Sequence, residues 1–344
     1  MSSPLTDLAQ RLAQSDVDVV RDIDVPDGAG AWRALPQDAE AVARIVRAAR
    51  EHERAPDSAA LRLVPLGGGS RIAVSRPDLA VDGALDDTLF IDLARLTGIV
   101  EYEPGDGTLT ARAGTPWHAL SEAVARGGHE LTPDVSPFGP TSGLGSGRST
   151  LGGVIGAGAS GPDRIQRGPV RHHVLGALVA TGSGTLARSG GRLVKNVTGF
   201  DVFRLHVGGR GTLGVLCEAS LRLMPRAEHE VLVSQSGLEL GHALEAAERV
   251  RRSPVQPRAL FVTNVQRDGQ TLAVHLAGRT RQVEGDARAI RHELGVGATE
   301  ISGEAARTGA AQLRDTRAHF EPSGSRAAGL ALAVTSVPSA AVSY

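Results

Sequence analysis

The sequence predicts an α+β protein with two domains, and three observations support this prediction. The chain has 344 residues, which is enough for two hydrophobic cores. Twenty of its 43 glycines lie between Gly139 and Gly214, so this stretch is expected to contain many turns and close backbone approaches. Beyond Pro225 glycine becomes sparse, and the hydrophobic pattern predicts the order β-α-β-β-α-β of a two-layer, ferredoxin-like unit.

The first domain is expected to combine short strands with a few helices. Apolar residues recur at helical spacing from Gln37 to Glu53 and predict a helix there. Thr115 is expected to cap a second helix, with Pro116 at its first position and Gly127-Gly128 at its end. Strands are predicted at Leu61–Pro65, Thr88–Leu93, Gly98–Tyr102, Thr108–Ala113, Thr150–Ile155, Val174–Thr181, Thr185–Arg188 and Leu213–Met224, with a short helix at Asp201–Val207.

The second domain is expected to begin near Arg226, where the composition changes. Its predicted strands are Val231–Ser234, Leu260–Val265, Thr271–Leu276, Ala298–Ile301 and Leu330–Val337. Its predicted helices include Glu239–Arg251, Ala287–Glu293 and Ala305–Phe320. We therefore divide the chain into an N-terminal segment (residues 1–33), a first domain (34–226) and a second domain (227–344).

Composition excludes several classes of protein. With a net charge of −1, the chain lacks the positive electrostatic field of a nucleic-acid binder, and with 3% aromatic residues it has few side chains that could stack on bases. Cys217 is the only cysteine, which excludes internal disulfides and favours a reducing, cytoplasmic location. No signal peptide and no membrane span are expected, so any membrane association would be peripheral, through partners. The histidines show no metal-ligand spacing, and no metal site is expected.

Two glycine clusters predict the binding of an extended anionic ligand. The run 156–161 matches G-x-G-x-x-G, but prolines follow it and no acidic residue lies between Arg164 and Phe200, which argues against a Rossmann site. Residues 67–71 lack the Lys-Ser/Thr pair of an ATP-binding P-loop. A nest of main-chain amides around a diphosphate fits better, helped by the basic interval 164–200, which includes Lys195, the only lysine. The competing explanation is a tight turn with a solvated basic face.

Three segments resemble the FAD-binding domain of the vanillyl-alcohol-oxidase, or PCMH-type, flavoproteins. The first, Pro65–Ser70, is similar to the pyrophosphate loop of that family, and the second, 150–153, to its second flavin segment. The third, Lys195–Asp201 with Gly211–Val215, is similar to its third. The resemblance covers residues 34–224 and implies a two-subdomain PCMH-type FAD-binding domain, followed by a smaller βαββαβ ferredoxin-like cap domain that is truncated or completed by a partner.

Within this family the chain further resembles the FAD-binding subunits of glycolate oxidases, through the runs 151–162, 170–176 and 194–197. The resemblance implies FAD as cofactor, a small 2-hydroxy acid as substrate, and two partners, a catalytic FAD subunit and an iron–sulfur subunit. The first glycine loop contains no His, Cys or Tyr that could attach a flavin, so the FAD is expected to be bound non-covalently. The residues implied to hold FAD are Leu66, Gly67, Gly68, Gly69, Ser70, Arg71, Ile72, Pro133, Thr150, Gly152, Gly153, Ser160, Gly161, Gly214 and Val215. Of these, Pro133, Ser160 and Gly161 would approach the flavin ring or ribityl chain, and Gly214 and Val215 the adenine end.

The sequence departs from the family at Phe200, where a tyrosine is usual, at Arg210, and in the longer loop Thr141–Arg148. It also lacks the paired-histidine motif of catalytic relatives, so no catalytic residue is assigned and an electron-transfer or structural subunit is favoured. Two alternatives stay open: a free-standing FAD-dependent hydroxy-acid or polyol dehydrogenase, and a non-catalytic scaffold with the flavin fold.

Overall fold

The structure is a computed structural model that describes residues 4–22, 31–54, 61–72, 87–137, 139, 146–191, 201–263, 269–316 and 332–333. Their contacts divide the chain into two units. The first comprises residues 1–131, 137–159 and 170–224, and the second comprises residues 132–136, 160–169 and 225–344. The second unit thus includes two short segments, 132–136 and 160–169, that precede its main part in the sequence.

The described residues of the first unit form two larger sheets and four helices, and the strand His129–Glu130 pairs separately with a short strand, Met224–Pro225. Its helices are α1 (Pro4–Gln14), α2 (Ala39–Glu53), α3 (Trp117–Arg126) and α4 (Leu151–Gly156). Its strands are β1 (Asp18–Asp22), β2 (Ala31–Leu35), β3 (Arg62–Leu66), β4 (Thr88–Asp92), β5 (Ile99–Glu103), β6 (Thr108–Arg112), β7 (His129–Glu130), β8 (Val174–Thr181), β9 (Leu186–Gly190) and β10 (Gly214–Arg222). Short 3₁₀ turns lie at Leu93–Arg95, Val170–His172 and Val202–Leu205. Most predicted elements of this part are confirmed to within a few residues.

One sheet of the first unit has the order β1-β2-β4-β3, with β2, β4 and β3 parallel. The other has the order β5-β6-β10-β8-β9 and is antiparallel. Helix α2 joins their cores, because its buried residues Val42 and Ile45 belong to one apolar cluster with Ile91 of the first sheet and Val215 of the second. Asp38 caps this helix by accepting a hydrogen bond from the Ala41 amide at 2.7 Å.

The N-terminal segment contains a helix and a strand pair that the sequence analysis did not foresee. Leu5, Leu8 and Leu12 of α1 are each no more than 1% exposed and pack into the same core as α2. Their spacing of three and four residues is the helical pattern that could have revealed α1.

The strand predicted at Thr150–Ile155 is wrong, because residues 151–156 form helix α4. Thr150 caps this helix by accepting a hydrogen bond from the Gly153 amide at 3.2 Å. Gly152 allows α4 to lie against Ala113, where a Cβ would come within 2.9 Å of the alanine side chain. The cap predicted at Thr115 is also wrong: Pro116 occupies the cap position, and the Thr115 hydroxyl donates instead to the Arg112 carbonyl at 2.7 Å.

The second unit confirms the predicted β-α-β-β-α-β order. Strand β11 (Met224–Pro225) leads into it, and its own elements are α5 (Arg164–Arg167), β12 (His229–Leu238), α6 (Leu240–Arg252), β13 (Ala259–Thr263), β14 (Gln270–Gly278), α7 (Thr280–Leu294), β15 (Thr299–Ser302), α8 (Glu304–Thr316) and β16 (Leu332–Ala333). The strand order β15-β12-β14-β13-β16 contains the ferredoxin-like arrangement extended by one strand, and all pairs are antiparallel. Helices α6 and α7 cover one apolar face, and α8 packs on the other.

Among the described residues, no helix has the length and apolar character needed to cross a bilayer.

Candidate functional site

A cleft opens in the first unit at the carboxyl end of strand β3. Its cavity volume is about 110 Å³. Eleven of the fifteen predicted site residues line it: Leu66, Gly67, Gly68, Gly69, Ser70, Arg71, Ile72, Thr150, Gly152, Gly153 and Gly214. The fold therefore brings together two segments that lie about eighty residues apart in the sequence.

The glycines of the first loop are required by the protein's own backbone. A Cβ on Gly68 would overlap the carbonyl oxygen of Arg148, and one on Gly67 would overlap Thr150 Oγ1. Gly69 has φ 74°, a conformation that favours glycine. At positions 67 and 68 the space left by the missing side chains is therefore filled by the segment 148–150 of the protein and not by a ligand.

Arg71 brings a partly buried cation to the wall of the cleft. Its Nη1 donates to Ser149 Oγ at 2.7 Å and to Ser70 Oγ at 3.0 Å. Burial lowers the pKa of Arg71 to about 10, so the guanidinium is charged at neutral pH. The two hydroxyls hold it in one orientation, which makes it a preorganised donor toward an anion in the cleft.

A third segment completes the cleft, because His206, Arg210 and Gly211 also line it. Of these three residues, only Gly211 lies in a segment that resembles the family in sequence. The Arg210 amide donates to the Gly156 carbonyl at 2.9 Å, which ties this segment to the end of α4. Arg210 has φ 52°, a strained value for a residue with a Cβ, and it is the position already noted as a departure from the family. Burial lowers the pKa of His206, which favours its neutral form.

The electrostatics of the cleft suit a diphosphate. Two arginines, Arg71 and Arg210, line it, and no Asp or Glu is found among the described residues of its wall. Main-chain amides at glycines, together with guanidinium groups, form a binding site for phosphate oxygens.

The remaining predicted residues lie elsewhere. Val215 is 3% exposed and belongs to the core of the first unit. Pro133, Ser160 and Gly161 belong to the two loops of the second unit, where a Cβ on Gly161 would overlap the Asp134 carbonyl oxygen. The predicted motif around Lys195 and most of the loop 141–148 fall outside the described residues.

The second unit contains a buried charged cluster on the sheet face that α8 covers. Glu230 is 2% exposed and accepts hydrogen bonds from His275 Nε2 at 3.0 Å and Arg307 Nε at 2.9 Å. Arg258 Nη1 lies 4.0 Å from the same carboxylate. Because the cluster links strands β12 and β14 to helix α8, it holds the helix on the sheet.

In the described part of the chain, no three His, Cys, Asp or Glu side chains are grouped to hold a metal ion.

Comparisons with known proteins identify the fold of this cleft. Residues 31–190 match the family described as FAD binding domain. The chain is 32% identical over 243 residues to the glycolate oxidase subunit GlcE of Escherichia coli, covering 70% of this chain and 61% of that protein. It is 35% identical over 190 residues to a D-2-hydroxyglutarate dehydrogenase of Xanthomonas citri, covering 55% and 36% respectively. It is also 30% identical over 193 residues to the glycolate oxidase subunit GlcD of Bacillus subtilis, covering 56% and 37%.

The chain therefore spans between about a third and three fifths of the length of these relatives. Among solved structures, an alkyldihydroxyacetonephosphate synthase superimposes with a TM-score of 0.64 at 19% identity, covering 83% of this chain and 54% of that one. At that identity the similarity shows the fold alone. It agrees with the α+β architecture predicted from the sequence.

Proposed function

We propose that this chain, whose residues 31–190 belong to the FAD binding domain family, is the FAD-binding subunit of a complex that oxidises a 2-hydroxy acid such as glycolate. FAD is the cofactor of this family, and its oxidoreductase relatives act on hydroxy acids. The cleft is the observation that supports this function best. Its glycine loop, residues 67–69, packs against the backbone segment 148–150, and the guanidinium of Arg71 in its wall is held by Ser149.

The residues of the cleft fit the diphosphate of FAD. The main-chain amides of Leu66–Ile72 would hold the phosphate oxygens, and Arg71 would offset their charge. Thr150, Gly152 and Gly153 would contact the cofactor from the second segment, and Gly214 and Val215 would lie at its adenine end. Since the Val215 side chain is buried in the core, only its backbone is offered to a ligand.

When bound to this chain, FAD would supply an electron acceptor for the oxidation that the complex carries out. The chain's own residues bind and orient the cofactor and shield it from water. Among the described lining residues, no carboxylate is present to take the substrate hydroxyl proton, and burial lowers the pKa of His206, which makes its imidazole a weaker proton acceptor. We therefore propose that a separate catalytic FAD subunit carries the base, and that this chain supports electron transfer toward an iron–sulfur subunit.

The proposed assembly is heteromeric and cytoplasmic. The name of the relative GlcE describes it as a subunit, and GlcD, also similar to this chain, is named as another subunit of glycolate oxidase. The single cysteine, Cys217, is buried and forms no disulfide, as expected of a protein from a reducing compartment.

A flavin titration of the isolated chain tests cofactor binding. Purified protein is expected to quench the fluorescence of added FAD at one equivalent, and to release all of it on acid denaturation because the bond is non-covalent. Flavin that stays with the denatured protein would point to attachment at His206, and His206→Gln would then release it. Failure to bind FAD at any concentration tested would contradict the proposed function.

A second experiment separates a complex subunit from a free-standing dehydrogenase. The FAD-loaded chain is mixed anaerobically with glycolate, D-lactate or D-2-hydroxyglutarate, alone and after addition of the two partner subunits. We expect the flavin absorbance to remain unchanged with the isolated chain and to bleach only in the complete complex. Bleaching of the isolated chain would instead identify a free-standing enzyme, and no bleaching in the complex would identify a scaffold.

A further inference from the structure

Two loops of the second unit, residues 132–136 and 160–169, pack closely against each other. Gly161 leaves no room for a Cβ beside the carbonyl oxygen of Asp134, so the two backbones are in contact. Arg167 Nη1 donates to Thr132 Oγ1 at 3.3 Å and gives the loops a second link. We call this packed pair of loops the loop joint.

The loop joint buries a carboxyl group that nothing in the proposed function uses. Asp163 is 1% exposed, and neither of its oxygens has a hydrogen-bond partner among the described residues. The two other buried acids of the described chain are both paired. Asp92 accepts a hydrogen bond from the Ala94 amide at 2.9 Å and forms an ion pair with Arg33, while Glu230 is held by the cluster around it.

The charged groups around Asp163 come from three elements. Asp134 faces it from the loop 132–136, Arg167 from its own loop, and Arg258 from the segment before β13. Asp134 is itself paired with Arg314 of α8. Burial raises the pKa of Asp163 to about 7, and the negative charge of Asp134 raises it too, whereas the Asp134 amide and the two arginines lower it.

A purely structural role does not account for this arrangement. A buried carboxylate that has no partner within normal hydrogen-bond geometry, and that is stabilised only by the Asp134 amide dipole and the charges of Arg167 and Arg258, is unfavourable in its ionised form. Buried acids whose ionisation is displaced from its usual range are characteristic of functional positions.

We propose that Asp163 is a proton-exchanging positioning residue, whose charge state sets how tightly the loop 132–136 packs against the loop 160–169. The neutral carboxyl suits the buried loop joint. The ionised form repels Asp134, attracts Arg167 and Arg258, and favours an opening that admits water. The same loops carry Pro133, Ser160 and Gly161, which the sequence resemblance assigns to the flavin, so any effect of Asp163 on the cofactor rests on the proposed function.

Hydrogen exchange measured by mass spectrometry on the full chain tests the loop joint without any flavin. Protection of the amides in the two loops is measured between about pH 5 and pH 9 and corrected for intrinsic exchange. Wild-type protection is expected to fall by up to about tenfold per pH unit below the pKa of Asp163 and to level off above it, because the open joint is ionised first. Asp163→Asn is expected to keep high protection at every pH, and Asp106→Asn, in an exposed turn, to behave like the wild type.

A flat wild-type profile, or a pH dependence that persists in Asp163→Asn, would overturn the inference. If Asp163→Asn does not fold, the protonation state of the buried carboxyl group is measured in the wild type by infrared spectroscopy with ¹³C-labelled aspartate. A protonated aspartic acid band that disappears near neutral pH supports the proposal, and its absence at mildly acidic pH refutes it. Repeating the exchange measurement with FAD bound separates the two ideas: a pH-dependent loop joint with no flavin binding leaves this inference standing and removes the proposed function.

Discussion

Replacing Gly67 by alanine tests whether the glycine loop is shaped by its ligand or by the protein. In the structure a Cβ at this position would overlap Thr150 Oγ1, while the Cβ and Cγ2 atoms of Thr150 lie at ordinary contact distances of 3.5 and 3.6 Å. The conflict therefore involves one hydroxyl oxygen. Removing that oxygen with Thr150→Ala should make room for the new methyl group.

The expected magnitudes follow from these contacts. Overpacking at Gly67→Ala should lower the free energy of unfolding by about 1–3 kcal/mol and weaken FAD binding, because the segment 148–153 must move. Thr150→Ala alone should lower it by about 1 kcal/mol through loss of the helix cap on Gly153. The double variant should be little worse than Thr150→Ala, which gives a favourable coupling of about 0.5–3 kcal/mol.

The assay is a double-mutant cycle, with urea unfolding for stability and fluorescence quenching for FAD affinity. Gly105→Ala is the matched control, since a Cβ there meets nothing within 4 Å. Gly68→Ala should resist rescue by any side-chain change, because its Cβ would overlap the main-chain carbonyl of Arg148. If the double variant loses FAD as completely as Gly67→Ala while regaining stability, the methyl group blocks the ligand itself, and packing against Thr150 does not explain the glycine.

Three further predictions concern charge and burial. Arg71→Met should weaken FAD binding by about ten- to a hundredfold by titration, whereas Arg126→Met, an exposed control, should leave it unchanged. The pKa of Asp163 is about 7 in the folded chain, against the ordinary value of 3.8 expected in the unfolded chain. Ionisation of Asp163 therefore does not destabilise the fold below the lower pKa, and its destabilising effect is complete above the higher pKa. Asp163→Asn should therefore raise the unfolding free energy at about pH 8 by up to about 4 kcal/mol in urea titrations, with no gain below about pH 4. Burial raises the pKa of Cys217 to about 12, so a thiol reagent should label it only after unfolding; labelling of the native chain would contradict that burial.

The spacing of Val231, Val233 and Leu272, Val274 is that of half-buried strands, and these residues form one core with α6 and α7. Helix α4 was mistaken for a strand because it is only six residues long and three of these are glycines. A helix that short has too few turns for an apolar stripe, and its formation depends on contacts with Ala113 and the cap at Thr150.

The site was predictable as a set of glycines but not as a set of interactions. The family resemblance pointed to fifteen residues, and eleven of them line one cleft. The fixed position of Arg71 depends on Ser149, 78 residues away, and the burial of Asp163 depends on chain segments from both sides of it. Such long-range pairings leave no periodic signal in a single sequence.

The two units differ in function: the first is expected to contain the groups that bind the cofactor, and the second a group whose charge changes with pH. The cleft of the first unit is lined by backbone amides and by Arg71, whose charge does not change across the physiological pH range, so its hold on a diphosphate should vary little with pH. In the loop joint of the second unit, burial raises the pKa of Asp163 to about 7. A pH dependence in flavin affinity that survives Asp163→Asn and is lost in His206→Gln would point to His206 of the cleft, whose pKa is lowered by burial. Measuring affinity against pH in Asp163→Asn and in His206→Gln therefore assigns any such dependence to one unit or the other.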